Sequence, residues 1–227
     1  MKTRNKKLIA IDGVDASGKQ THAKLLYAHL QEEGYPVRML SFPAYDQPSS
    51  ALVKMYLSGD FGENPEDVNA YAASSFFAAD RFATFRTDWK KDYEAGVILI
   101  ADRYVSSNMI HQAGKIKDDM EKNTFLNWLD DLEHTVYGIP RPAMTVFLDM
   151  PTEFGRELMK DRENKFDSAA KKDIHERNDR YLEESYRNAC TVSQKFGWQR
   201  ISCVKDGAVR SIEEIQAEIY RLVKIIL

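Results

Sequence analysis

Short apolar runs alternate with longer amphipathic stretches along this 227-residue chain. Five runs predict strands, over residues 8–12, 37–41, 97–102, 144–149 and 200–204. They are nearly continuous rather than alternating, as in a parallel sheet covered on both faces. The periodic stretches predict helices over 19–33, 51–57, 65–93, 122–137, 152–160, 173–196 and 212–226. Gly34 is a stop signal after the first, and Ser211 with Glu214 resembles a capping box opening the last. Strand and helix in turn predict an α/β fold: a five-stranded parallel sheet with helices on both faces and right-handed crossovers. No repeat or linker divides the chain, so residues 1–227 read as one domain. Ligands of such sheets bind beyond the carboxyl ends of the strands. Asp12, Phe42, Asp102 and Asp149 all lie at such ends.

Composition narrows the class. With 43% hydrophobic and 30% charged residues the chain reads as an ordinary globular protein with a sizeable core. A net charge of −3 gives no general attraction to nucleic acid or an anionic membrane. The two cysteines, Cys190 and Cys203, lack metal-ligand spacing and read as reduced thiols of a cytoplasmic protein. The N-terminus is basic, but the apolar run behind it is too short for a signal peptide. No stretch has the length of a membrane span.

The first strand runs into the chain's most specific motif. Gly13, Val14, Asp15, Ala16, Ser17, Gly18, Lys19, Gln20 and Thr21 follow the apolar run and lead into a helical pattern. This is the G-x-x-x-x-G-K phosphate loop of nucleotide-binding proteins, and all nine residues are predicted to bind ATP. Glycines allow a backbone that lets several N–H groups converge on phosphate at a helix N-terminus. Lys19 adds a full charge. The usual Ser or Thr after the lysine is replaced by Gln20, and Thr21 comes about 100° further round the helix. Gln20 is the second candidate ligand for Mg²⁺, which tolerates a carbonyl or a bridging water.

Two further stretches carry charge where chemistry needs it. The strand at 97–102 ends in Asp102, the carboxylate expected to hold Mg²⁺ in this class of site. Arg103 follows at once, and its guanidinium can fork onto a phosphate. The segment 156–173 is basic, with Arg156, Lys160, Arg162, Lys165, Lys171 and Lys172. It is predicted to be a loop between two helices, and long basic loops in compact folds are often functional.

Asp12-Gly13-Val14-Asp15, Gly18-Lys19, Phe42-Pro43, Phe77-Ala78-Ala79-Asp80-Arg81, Asp102-Arg103-Tyr104 with Ser107-Asn108, and Pro140-Arg141-Pro142 occur in that order. Together they resemble the thymidylate kinase family, from residue 7 to about 210. The resemblance implies roles. Asp15 accepts from the sugar 3′-hydroxyl. Phe77 stacks on thymine, and Arg81, on the same helix face, donates to a base carbonyl. Phe42 packs beside sugar and base, and Arg103 holds the acceptor phosphate. Asn108 contacts the base edge, with Ser107 and Gln112 counted in the same pocket. His111 walls the sugar side, where relatives often carry Tyr. The segment 156–173 becomes a lid, with Arg162 first and Arg156 second as contacts for the transferring phosphoryl. Ala16 and Ala44 stand where some relatives carry arginines, which shifts the burden to the lid and to Arg103.

The function so implied is transfer of the γ-phosphoryl of ATP to dTMP, giving dTDP and ADP with Mg²⁺ as cofactor, on the path to dTTP. Lys19, Arg103, Arg162 and Arg156 form the catalytic set. The acceptor oxygen is already ionised at neutral pH, so no general base is required. The resemblance also implies a homodimer, with which the apolar positions of 70–85 are compatible. Another nucleoside-monophosphate or deoxynucleoside kinase on this scaffold is the nearest alternative, and an ATPase switch a more distant one.

Overall fold

The computed structural model describes residues 7–165 and 179–227, with side chains for 7–159 and 180–227. In chain order the elements begin β1 (Leu8–Gly13), α1 (Lys19–Glu32), β2 (Val37–Ser41), α2 (Ala51–Ser58), α3 (Ala70–Thr84), α4 (Lys90–Glu94) and β3 (Ile98–Asp102). Then come α5 (Val105–His111), α6 (Asp119–Asp131), β4 (Met144–Asp149), α7 (Thr152–Lys165), α8 (Asp179–Lys195) and β5 (Gln199–Ser202). A small hairpin, β6 (Val204–Lys205) and β7 (Ala208–Val209), precedes α9 (Ile212–Ile226).

The five expected strands form one parallel sheet in the order β2-β3-β1-β4-β5. The register sets Ile11 opposite Asp102, and Asp102 opposite Ser41, so the site-bearing strand ends lie side by side. Alternate residues feed opposite faces. Ile9, Ile11, Ile98 and Ile100 pack with Ala23, Leu26 and Leu30 of α1 and with Ile215, Ile219 and Val223 of α9. Leu8, Ala10, Leu99 and Ala101 pack with Val105 and Met109 of α5 and with Phe125, Leu126 and Leu129 of α6. Full burial of such side chains contributes about 1.5–3 kcal/mol each. Both cysteines are free thiols. No helix among the described residues is long and apolar enough to cross a membrane.

Four expectations are corrected. The predicted helix 65–93 is broken: Pro65–Asp67 is a 3₁₀ turn, and the Asn69 side chain accepts from Ala72 N at 2.9 Å to start α3 at Ala70. A π-helical turn, Phe85–Trp89, then joins α3 to α4. The last predicted strand ends at Ser202. Val204 belongs to the hairpin, whose Asp206-Gly207 tip has φ of 52° and 77°, the two left-handed residues a tight two-residue turn requires. α5 lies in a stretch with no predicted helix; six of its seven residues are buried, so it shows no amphipathic stripe. α7 continues to Lys165, so the first part of the predicted 156–173 loop is helical. The remainder of that lid, with Lys171, Lys172 and the predicted start of α8 at 173, lies outside the described residues.

Candidate functional site

β1 ends at Gly13 and α1 begins at Lys19, leaving five residues to turn the chain. Gly13 is required by close approach: a Cβ there would stand 2.6 Å from Ser17 Oγ and 2.8 Å from Leu148 O. Ala16 and Gly18 adopt left-handed φ values of 60° and 83°. Glycine does so freely, whereas Ala16 carries strain of about 1 kcal/mol. The first amides of α1 have no acceptor within the helix, and the helix dipole places partial positive charge there. Lys19 Nζ folds back over the loop, donating to Val14 O at 2.8 Å and standing 3.8 Å from Asp15 Oδ1. Burial, then the nearby Arg103, lowers the Lys19 ammonium to about 8 against the pull of Asp15. Gln20 and Thr21 are exposed on the first turn of α1.

Arg103 stands at the turn between β3 and α5 with φ of 66°, an uncommon backbone for a bulky residue. Its amide donates to Ile11 O at 3.1 Å, which pins that turn to β1. Its Nη2 donates to Asp15 Oδ1 at 2.8 Å and its Nη1 to His111 Nε2 at 3.3 Å. An arginine only donates, so His111 Nε2 is the acceptor and the ring is neutral. Burial pushes the His111 imidazolium down to about 4, with the nearby cations adding to it and Asp15 opposing. Burial disfavours charge on Asp15 too, but Arg103 and Lys19 outweigh it and hold that carboxyl well below its usual range. Burial raises the Asp102 carboxyl, with Arg103 and Lys19 pulling it back.

Beyond Arg103 a solvent-open cleft of about 540 Å³ runs between α3 and α5. All nine predicted acceptor residues line it: Asp15, Phe42, Phe77, Arg81, Arg103, Ser107, Asn108, His111 and Gln112. Each is positioned by a traceable contact. Phe42 packs against Tyr104, centroids 5.8 Å apart, and Tyr104 in turn donates to Pro140 O at 2.9 Å. Phe77 is half-buried and packs perpendicular to Tyr56, ring centroids 6.2 Å apart. Asn108 Nδ2 donates to Ser74 O at 3.2 Å, tying α5 to α3. The Ser107 hydroxyl donates to Asp12 at 2.9 Å, and Ser106 Oγ does so at 2.6 Å. Gln112 Oε1 is buried with no hydrogen-bond partner among the described residues.

Several contributors had no sequence-based assignment. Pro43, Tyr45 and Leu57 also line the cleft. Asp80, inside the quoted Phe-x-x-Asp-Arg block, accepts from Ala44 N at 2.8 Å and Ser49 Oγ at 2.6 Å, fixing the loop that carries Phe42. Arg81 does reach the cleft, but it is bound on its other side by Glu133. Asp149, flagged at a strand end, is taken by Tyr186 Oη at 3.0 Å and Arg200 Nε at 2.9 Å.

α7 crosses the outer side of the phosphate loop. A Cβ on Gly155 would lie 3.3 Å from Asp15 O and 3.9 Å from Ala16 Cβ, so the helix touches the loop there. Arg156 is the next residue and is half-buried. Arg162 belongs to α7 by its backbone, but its side chain lies outside the described residues, as do those of Lys160 and Lys165.

The glycine loop with its lysine and the cleft meet at Arg103. Comparison with known proteins decides the family: the family model described as "Thymidylate kinase" matches residues 11–202. The chain belongs to the thymidylate kinase family. A thymidylate kinase of Mycobacterium tuberculosis is 30% identical over 174 residues, covering 75% of this chain and 78% of that relative. A probable thymidylate kinase of Pyrococcus horikoshii is 28% identical over 219 residues, covering 95% of each chain. Another from Thermococcus onnurineus is 28% identical over 222 residues, covering 95% and 96%. This thymidylate kinase family member is an ATP-dependent nucleotide kinase, and dTMP is its acceptor.

Proposed function

We propose that the kinase holds its two nucleotides end to end across Arg103, with ATP on the loop of residues 13–21 and dTMP in the cleft. The observation that carries this reading is the shared contact of Arg103 and Lys19 with Asp15, which brings donor and acceptor charges to one point. Lys19 and the loop amides hold the β- and γ-phosphates. Arg103 forks onto the dTMP phosphate, and Asp15 accepts from the 3′-hydroxyl. Phe77 stacks on the base, Arg81 donates to a base carbonyl, and Gln112 Oε1 supplies an acceptor within the cleft. Arg156, entering beside the loop on α7, and Arg162 further along supply positive charge to the transferring group. Transfer then needs in-line positioning and charge stabilisation rather than a protein nucleophile.

Mg²⁺ is the cofactor in this reading, with Asp102 and Gln20 as its protein ligands. Among the described residues no three His, Cys, Asp or Glu side chains cluster to hold a metal on their own. That suits an ion that keeps several waters and reaches the protein through one or two oxygens and the substrate phosphates. Asp102 fits, being a desolvated carboxylate whose charge a cation would relieve. Bound Mg²⁺ would neutralise charge on the phosphates. The kinase is further proposed to act as a cytoplasmic homodimer through helices beside the sheet. Tyr71 and Phe82 on α3, exposed at 40% and 36%, are apolar surface for that contact.

A coupled ADP-release assay over dTMP, dUMP, dCMP, dGMP and AMP tests the assignment. dTMP should give the highest kcat/KM. dUMP, one methyl short, should fall by about 10–200-fold. A purine monophosphate turned over as well as dTMP would refute the cleft as a thymine site.

A further inference from the structure

Arg81 and Glu133 meet across 52 residues of sequence. Arg81 Nε donates to Glu133 Oε2 at 2.6 Å, and Nη2 donates to Oε1 at 2.5 Å. Arg81 is 2% exposed and Glu133 is 0% exposed. Two parallel bonds fix both the plane and the rotation of a guanidinium. They occupy Nε and one proton of Nη2, so the edge carrying Nη1 is left for the cleft that Arg81 lines. Every group on that edge is a donor. Glu133 itself does not line the cleft. It sits on the π-helical turn Leu132–Val136 that ends α6, and such turns often stand at functional sites.

The pair meets two needs at once. A buried guanidinium without a counter-charge is strongly unfavourable, and a rotating one would lose freedom on each binding event. Burial opposes charge on Arg81, yet the Glu133 carboxylate more than compensates and raises its pKa.

We propose that Glu133 is a positioning residue for base selection: it locks Arg81 so that the free guanidinium edge donates to a pyrimidine carbonyl and disfavours an amino group at the same place. This rests on the base-reading role of Arg81 proposed above, and adds a residue outside the cleft on which that role depends. A mere staple between α3 and the end of α6 would lower stability and turnover with all substrates alike. A positioning residue changes the KM for dTMP and the preference over dCMP, and leaves the KM for ATP unchanged.

The test is steady-state kinetics on the full-length enzyme as wild type, Arg81→Gln, Glu133→Gln and the double variant, with dTMP and dCMP as acceptors. Glu133→Gln should raise the dTMP KM about tenfold, hold kcat within about threefold, and cut the dTMP-over-dCMP ratio of kcat/KM about tenfold. In the double variant the dTMP KM should be no higher than in Arg81→Gln alone, because both changes act through one group. Wild-type KM and ratio in Glu133→Gln would overturn the proposal, as would a further tenfold rise in the double variant. If Arg81→Gln itself shifts neither quantity, the base-reading role fails first. If it shifts both and Glu133→Gln shifts neither, only the role of Glu133 fails. Glu133→Gln leaves a buried cation; should it not fold, Glu133→Asp, which keeps the charge but shortens its reach, takes its place, where a raised dTMP KM with a lowered dTMP-over-dCMP ratio supports the proposal and wild-type values of both overturn it.

Discussion

The two ends of the cleft treat an arginine in opposite ways. At the end proposed for the base, Arg81 is buried and its charge is matched by a buried carboxylate in a two-bond fork. At the end proposed for the phosphate, Arg103 keeps 29% of its side chain exposed, with Asp15 on one nitrogen and the neutral ring of His111 on another. The first arrangement leaves hydrogen-bond direction without net charge, which suits a neutral base. The second leaves charge in hand, which suits a phosphate. Lys19 shares Asp15 with Arg103, so one carboxylate serves two cations and cannot fully offset either. A third cation, Lys115, follows neither pattern. Its ammonium donates to two neutral oxygens, Tyr56 Oη at 2.8 Å and Val68 O at 3.0 Å, and lies 5.1 Å from the Tyr56 ring. It joins the turn after α5 to α2 and to the segment before α3.

The contrast can be broken most severely at the phosphate end. Lys19→Ala should lower kcat by about 10³-fold, since it removes a charge that strengthens its hold as the phosphoryl group moves. Near-normal turnover in that variant would mean the donor lies elsewhere. Arg103→Ala should lower kcat/KM for dTMP by about 10²-fold with ATP affinity, read by titration, close to wild type. A loss confined to ATP handling would reverse the assignment of the two ends.

The smallest effect is at Lys115 and is read as stability against pH. Burial lowers its pKa from an ordinary 10.5 to about 7. Below about 7 the group is charged in both states and its burial penalty is complete. Between the folded and unfolded values the unfolded chain holds the extra proton, so this group's contribution to stability rises with pH. Denaturant titrations of wild type and Lys115→Met at pH 7, 8 and 9 should therefore diverge in slope. The wild type should gain up to about 1 kcal/mol per pH unit over the variant. Parallel curves would show that the ammonium is not desolvated.

Local spacing explains why the geometry of the glycine loop was legible. A strand, two glycines, a lysine and a helix are contiguous, so their order alone fixes where the amides and Lys19 stand. Asp102 and Arg103 were equally readable as a charged end to an apolar strand. The acceptor residues came from motif resemblance, and the cleft gathers all nine. Asp80 was in plain view within its motif, but nothing local reveals that it grips the amide of Ala44, 36 residues away. Glu133 had still less signal. It is one acid in an amphipathic helix with acids on its exposed face, and burial is a property of the packed molecule. α5 was missed because a short helix buried nearly all round has no polar face to give it a period.

The chain's own order of residues determined the sheet, the phosphate loop and the residue types at the strand ends, because each depends on neighbours within a few positions. Tertiary structure decided which charges meet. Arg103 finds Asp15 across 88 positions and Arg81 finds Glu133 across 52. Those meetings are set by the twist and order of the strands and by how α3, α5 and α6 pack on one face. Coulomb energy and desolvation depend on distance and burial. A string of residues has neither until it folds.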